Sequence, residues 1–373
     1  MPSMKLDHLG GLTAEQFLEE YWQKKPLLIR QAFPGFGDVM SPDELAGLAC
    51  EEDAQSRLVL ENSGKWQVEN GPFEEARFAS LPKKGWSLLV QGVNHFLEDG
   101  QELLGKFDFI PTARLDDLMV SYAPDGGGVG PHFDSYDVFL LQGYGQRTWR
   151  VSEQQDLELV EGAPLRILKR FDTLDEWLLE PGDMLYLPPR LAHWGIAVGP
   201  CMTWSVGFRA PSAQELGSQF LGYMQEHMKL EGIYADPDLE LQLHPAEISD
   251  QMVDKVEAML NAIRWNKADI ASFLGEYLTE PKSHIVFDPP RRMTLAKFRE
   301  QFAKKDLRLD LRSQMLTREN QVFMNGEKVS VEGGLDLLRT LADHRMLPAS
   351  DALPDALVEL LWPWYSAGYL HFD

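Results

Sequence analysis

The chain has 373 residues, 44% of them hydrophobic and 25% charged, so it can bury ordinary globular cores and is long enough for two or three domains of roughly 100 to 200 residues. Its 35 basic and 58 acidic residues leave a formal charge of −23, which argues against nucleic acid and anionic membranes as partners and favours a basic protein or peptide, unless the acidity serves solubility alone. Cys50 and Cys201 stand far apart without CxxC spacing, the opening "MPSMKLDHLGG" lacks an apolar signal core, and no run reaches the roughly eighteen apolar residues of a membrane span. Disulfide frameworks, thiolate zinc sites and membrane spans are thereby set aside, and a cytoplasmic protein is expected.

In chain order, Thr13 to Gln16 reads as a capping box opening a short helix with Phe17, Tyr21 and Trp22, which Pro26 ends. Next come "PLLIRQAF", "KWQVENGPF", "WSLLVQGV", "DLMVSYA", "YDVFLLQG", "RTWRVSE", "DMLYLPP" and "MTWSVGFRA", short runs rich in β-branched and aromatic residues. Many short strands without alternating helices predict an antiparallel sandwich or barrel. Past "FRAPSAQE" the period turns helical. Ser212 and Glu215 read as a second capping box, with Phe220, Tyr223, Met224 and His227 at helical spacing. Two stripes follow, Met252, Val253, Val256, Met259, Leu260 and Ile263, then Ile270, Phe273, Leu274, Tyr277 and Leu278. Such stripes ordinarily pack on their own domain, with burial against a second copy as the sharper alternative. "EPKSHIVFDPPRR" reads as a linker, and "QVFMNGEKVSV" as a hairpin whose Asn325-Gly326 turn suits type I′. With helices over Leu335 to His344 and Asp355 to Ala367, the C-terminal end predicts a small winged-helix-like α/β module. In so acidic a chain it is expected to serve structure or protein contact.

His132 and Asp134 stand at i and i+2, which on a strand aims both at one point, the spacing of metal ligands. His193 follows the turn Pro181-Gly182-Asp183 and the strand Met184 to Leu187, so it can return to the same barrel end. Two histidines and a carboxylate are the facial set of non-haem Fe(II) oxygenases, with positions left open for substrate and dioxygen. An HxD pair alone is weak, since a single His is more often a core or surface residue. Downstream, Arg147, Trp149 and Val151 alternate on one face. If Trp149 and Val151 face the core, so does Arg147, and a buried guanidinium needs an anion. A protein carboxylate would serve, as would the far end of a metal-chelating dicarboxylate shaped like 2-oxoglutarate. Asp117, Met119 and Ser121 share a face upstream, so Ser121 can donate to the same molecule. Gly126 to Gly128 permits a close backbone approach, a mobile lip or a plain flexible turn. It is no phosphate loop, because it leads into the ligand strand and not a helix N-terminus.

The ordered set "WQKKPLLI" (22–29), "GGGVGPHFDSYDVFLLQGYGQRTWRV" (126–151), "EPGDMLYLPPRLAHWG" (180–195) and "SVGFRAP" (205–211) resembles the JmjC-type 2-oxoglutarate oxygenases. More narrowly it resembles the bacterial ribosomal oxygenases, which hydroxylate an arginine of large-subunit ribosomal protein sixteen. The resemblance implies a double-stranded β-helix catalytic domain over 1–211, a helical dimerisation region over 212–282 and a winged-helix-like domain over 283–373. It implies Fe(II) on His132, Asp134 and His193, 2-oxoglutarate on Arg147 and Ser121, dioxygen as the second cosubstrate, and a homodimer. Many JmjC enzymes use Lys where Arg147 stands, and the arginine matches the bacterial ribosomal branch. A basic substrate side chain would want a carboxylate near the iron: Asp117 is the candidate, with Met119 beside it, against the alternative of a solvated strand end. Demethylation of methyl-lysine on another basic protein, and a non-catalytic metal-binding scaffold, are the competing functions. Asp137 and Arg150 are expected only as solvated or salt-bridged charges.

Overall fold

The computed structural model describes residues 4–37, 39–331 and 333–373, so the first three residues of the stretch read for a signal core lie outside the described residues. Short elements come first: α1 (Ala14–Glu20), β1 (Leu27–Ile29), α2 (Pro42–Leu48), β2 (Ser56–Asn62), β3 (Lys65–Asn70), α3 (Glu75–Ala79), β4 (Trp86–Val90) and α4 (Glu98–Gly105). Then follow β5 (Leu115–Ala123), β6 (Val138–Ser152), β7 (Asp175–Leu179), β8 (Met184–Leu187) and β9 (Ala192–Phe208). Every pairing is antiparallel, in the order β1-β8-β6-β9-β5-β4-β2-β3, with β7 beside β6.

The runs "YDVFLLQG" and "RTWRVSE", expected as two strands, are the single strand β6. Its register shifts twice between Gln142 and Gln146, and Gly145 there takes a φ of +60°, with room for no side chain: a Cβ would stand 2.0 Å from the Pro200 carbonyl oxygen. Such bulges bend a strand where a turn would stop it. Before the bend, Val138–Leu141 pairs β8 and the end of β9. After it, Arg147–Val151 pairs β7 and the start of β9. Both long strands therefore serve both layers of a double-stranded β-helix. The Thr13–Gln16 capping box is fully made, an N-cap arrangement worth about 1 kcal/mol. It aims α1 so that Phe17 meets Tyr186 edge to face at 5.0 Å within the core that also holds Phe139, Trp204 and Phe208.

Asp137 is not on a solvated face. It is fully buried, accepting from the Tyr186 hydroxyl at 2.6 Å and Gln23 Nε2 at 2.8 Å, with Arg114 Nη2 at 3.5 Å. Arg150 is a partly exposed ion pair with Glu176, at 2.5 Å across the β6–β7 ladder. The glycine run is not a plain flexible turn either. Gly126 N–H donates to the Ala197 carbonyl and Ala197 N–H to that of Gly127, while Cβ atoms at Gly127 and Gly128 would stand 2.1 Å and 2.4 Å from the carbonyl oxygens of Trp86 and Gly195. Close backbone approach is the reason for the glycines.

Helices α5 (Ala213–His227), α6 (Asp250–Leu260) and α7 (Lys267–Thr279) follow. The box at Ser212 is only half made: Ser212 Oγ accepts from Glu215 N at 3.1 Å, but Glu215 Oε1 takes the Tyr277 hydroxyl at 2.6 Å instead of reaching back. The α6 stripe does not pack on its own domain as expected. Val253 and Leu260 are 52% and 57% exposed, and no α6 residue is buried.

The last part comprises α8 (Leu295–Phe302), β10 (Leu307–Leu309), β11 (Met315–Arg318), β12 (Gln321–Met324), β13 (Glu327–Ser330), α9 (Leu335–His344), β14 (Met346–Leu347), α10 (Asp355–Ser366) and β15 (Leu370–Phe372). Asn325 and Gly326, at φ +49° and +88°, turn β12 into β13 as type I′ requires. A separate core around Phe298, Leu338, Leu361 and Trp364 supports it. The expected linker 280–292 has no helix or strand yet is tied down at both ends. Lys282 Nζ lies 3.4 Å from Asp116, and Arg312 donates to the Val286 carbonyl at 2.5 Å and pairs with Asp288 at 3.1 Å.

Candidate active site

Between the two layers lies a cavity of about 410 Å³, and all seven residues singled out from the sequence line it: Asp117, Met119, Ser121, His132, Asp134, Arg147 and His193. The His and Asp side chains gather because two segments meet backbone to backbone. His132 N–H donates to the His193 carbonyl at 2.9 Å, and His193 N–H to that of His132 at 2.8 Å. Asp134 is held in turn by its carbonyl, which accepts from Arg190 N at 2.7 Å. The candidate ligand atoms lie within 4.8 Å of one another, with Asp134 Oδ2 at 3.9 Å from His132 Nε2 and 3.6 Å from His193 Nε2.

The backbone also sets which nitrogen is free. His132 Nδ1 stands 3.0 Å from the Gly130 carbonyl and His193 Nδ1 2.9 Å from that of Leu191. A carbonyl only accepts, so Nδ1 carries the proton in both rings and each Nε2 lone pair faces Asp134. Burial and the adjacent His132 push His193 down to about 4, so it is a neutral imidazole near pH 7. Two imidazoles and one carboxylate, oriented by their own backbone, fit a divalent iron.

Arg147 sits on β6 with Trp149 and Val151, all three buried. Nε and Nη2 of its guanidinium have no hydrogen-bond partner, and no carboxylate among the described residues pairs with it, so the protein-acid alternative is not realised. The register separates it from the metal cluster: Val151 is opposite His193, whereas Arg147 is opposite Ala197. A forked cation thus waits at one end of the cavity and a ligand set at the other, as a molecule with a chelating end and a carboxylate end requires. Ser121 lies across from Thr203 on β9, to whose carbonyl its hydroxyl donates at 3.5 Å, a weak bond that leaves it available.

Asp117 is no solvated strand end, at 2% exposed. Its Oδ2 accepts from Gly92 N at 3.2 Å and stands 3.8 Å from Lys282 Nζ. Burial and the neighbouring Asp116 raise its pKa, while Lys282 and hydrogen bonds from Gln91 and Gly92 pull it back.

Sequence reasoning missed Tyr136, which lines the cavity two residues beyond Asp134. Burial and the Asp134 charge push its phenol up, so it remains a donor. Residues 133–137 form no strand, so the strand spacing expected for His132 and Asp134 is not what brings them together, and no period marks Tyr136. Sequence reasoning also missed Leu165, Arg166 and Ile167 of the loop between β6 and β7, which form a lip over the cavity. Arg166 stacks on Phe133 at 4.7 Å, and Leu168 N–H ties the lip to the Pro131 carbonyl at 2.8 Å. Nothing local marks that loop.

A JmjC domain model matches residues 102–216, and a ROXA-like winged helix model matches residues 262–371. Escherichia coli ribosomal protein uL16 3-hydroxylase is 37% identical over 371 residues, 97% of this chain and 98% of that protein. A probable ribosomal oxygenase of Haemophilus influenzae is 41% identical over 240 residues, 62% of this chain and 56% of its own length. The X-ray structure of Escherichia coli YcfD superposes with a TM-score of 0.86 at 36% identity, covering 97% of this chain and 98% of that one. YcfD, a ribosomal oxygenase, in complex with cobalt and 2-oxoglutarate gives 0.83 at 36% identity, over 97% and 98% of the two chains. A likeness of that degree, from the first strands of the barrel to the end of the winged helix, makes this chain a member of the JmjC-type ribosomal oxygenases.

Proposed function

We propose that this chain is an Fe(II)- and 2-oxoglutarate-dependent hydroxylase of an arginine, at C3, in large-subunit ribosomal protein uL16. The observation that carries the reading is the unpaired, buried guanidinium of Arg147 facing the same cavity as His132, Asp134 and His193. The function printed for the Escherichia coli relative supports the choice of substrate. Bound iron with 2-oxoglutarate and dioxygen supplies an oxidative decarboxylation that yields succinate, carbon dioxide and one hydroxyl on a substrate carbon.

The chain's own residues do the positioning, which decides the outcome where the oxidant is unselective. His132, Asp134 and His193 would hold the iron; Arg147 and Ser121 would hold the cosubstrate's C5 carboxylate. Asp117 supplies the counter-charge for the incoming guanidinium, and Met119, two residues along on the same face, an apolar surface for its methylenes. Incubation with Fe(II), 2-oxoglutarate and a peptide of uL16 is expected to add 16 Da to one arginine. Loss of a methyl from lysine, or no succinate at all, would overturn the reading in favour of a demethylase or a scaffold.

In the same assay Asp117→Asn is expected to raise the peptide KM about tenfold to a hundredfold while 2-oxoglutarate affinity holds, since it removes one charge-assisted contact. The pH profile carries the sign. A carboxyl with a raised pKa becomes neutral on acidification earlier than an ordinary one, so the wild-type peptide KM climbs as pH falls, and the Asn variant flattens that climb. Equal loss of peptide affinity and cosubstrate affinity would remove Asp117 from this role.

The domain division into 1–211, 212–282 and 283–373 and a homodimer through the helical region belong to the same proposal. The exposed α6 stripe, with Leu241, Leu243 and Ile248 exposed just before it, supports the dimer. Sedimentation is expected at twice 42.4 kDa, and a single-chain mass would reject it. Cytoplasmic action is supported by the ribosomal substrate and by two cysteines that are unpaired. The charge of −23 supports contact with basic protein and not with RNA.

A further inference from the structure

Among the described residues, six buried side-chain nitrogen or oxygen atoms lack a hydrogen-bond partner. Four of them belong to residues that line the active-site cavity: Arg147 Nε and Nη2, Trp149 Nε1 and Ser87 Oγ. Ser87 has no place in the mechanism so far. It is 1% exposed, on β4. A hydroxyl taken from water and left alone is costly, so one kept inside a ligand cavity is expected to meet what the cavity receives. Ser121 is a different case, because its hydroxyl already has the Thr203 carbonyl to turn to.

The register says which end of the occupant Ser87 would meet. Leu89 of β4 is opposite Ser121, and alternation puts Ser87 on the same face, one step further along. Gly92, at the other end of this segment, donates to Asp117. Asp117 is opposite Gly207, and Gly207 is opposite Val138, four residues after the ligand Asp134. The Asp117 end is therefore the metal end, and Ser87, several residues removed at about 3.3 Å each, is at the far end. Arg147 is displaced from His193 in the same sense on the facing layer. The two unpartnered groups share the end of the cavity remote from the metal cluster.

A carboxylate offers about four lone-pair sites, and a forked guanidinium satisfies two. We infer that Ser87 is a further cosubstrate-binding residue: its hydroxyl donates to the C5 carboxylate that Arg147 pairs with, and so helps select a dicarboxylate of this length. The inference rests on the proposed reading of the cavity as the 2-oxoglutarate site.

The test is calorimetric titration of 2-oxoglutarate into the full-length protein loaded with Mn(II), which needs no turnover. Ser87→Ala is expected to bind about tenfold to a hundredfold more weakly, the range of one hydrogen bond to a charged group, with Ser87→Thr restoring most of it. The Ala variant is also expected to melt no lower than wild type without ligand and to gain less on adding 2-oxoglutarate. Unchanged affinity would overturn the inference. So would a lowered ligand-free melting temperature, which would mean the hydroxyl has a partner within the protein. Arg147→Ala in the same titration separates the two levels: if it too leaves affinity unchanged, the cosubstrate reading of the cavity fails, and not the role of Ser87 alone.

Discussion

Asp134→Ala protein is expected to hydroxylate no peptide and to consume no 2-oxoglutarate, a fall of at least about a thousandfold. The size follows from what one side chain does here. Asp134 is the only anion in the ligand set, and its Oδ2 lies 3.9 Å and 3.6 Å from the two Nε2 atoms. Without it, two imidazoles must hold a divalent cation with no compensating charge. Metal-centred stabilisation of several kcal/mol corresponds to about three orders of magnitude in rate. Metal content of the purified variant, read with activity, checks the cause: iron bound at full occupancy with activity lost would assign Asp134 a role other than ligand, and retained activity would reject the cluster as the metal centre.

The second large effect concerns Arg147. Arg147→Met is expected to raise the 2-oxoglutarate requirement roughly thirtyfold or more, the scale of truncating one partner of a buried charge pair. The same change is expected to stabilise the ligand-free protein, because a buried guanidinium lacking an anion is a cost that the thioether does not carry. Stability and ligand affinity should thus move in opposite directions in one variant. Thermal melting with and without 2-oxoglutarate reads both. A variant that melts lower without ligand would show that Arg147 is satisfied by the protein, and an unchanged cosubstrate requirement would remove it from the site.

Strand alternation made part of this site readable in advance. Asp117 with Met119 and Ser121, and Arg147 with Trp149, follow the rule that i and i+2 share a strand face, whereas His132 and Asp134 reach the same cavity from the irregular segment before β6, where Phe133 and Ser135 line it as well. His193 was legible at one remove, through the turn and strand that bring it back. Tyr136 lies in that same irregular segment, outside any strand period, and was passed over. Contacts made across long sequence distance were out of reach. Lys282 approaches Asp117 from a stretch that reads as a linker, and Arg166 enters from a loop with no period. Asp137 was legible only as a solvated or salt-bridged charge: it does pair with Arg114, but its burial was hidden because its partners, Gln23, Arg114 and Tyr186, are scattered along the chain. The α6 stripe failed in the other direction: its period was read correctly, but periodicity gives an apolar face and not the surface that covers it.

The bend at Gly145 has a consequence for how such a site is entered. Because β6 and β9 run through both layers, the ladder that carries Arg147 is continuous with the one that fills the core beneath Phe139 and Trp204. The cavity walls have no sheet of their own that can part from the rest, and loosening them means unzipping the domain. The walls outside the ladder are the ligand-bearing segment His132–Tyr136 and the lip of Leu165, Arg166 and Ile167, which stacks on Phe133 and is tied by Leu168's bond to Pro131. The barrel supplies permanence, and any adjustment of the cavity mouth falls to these stretches outside the ladder.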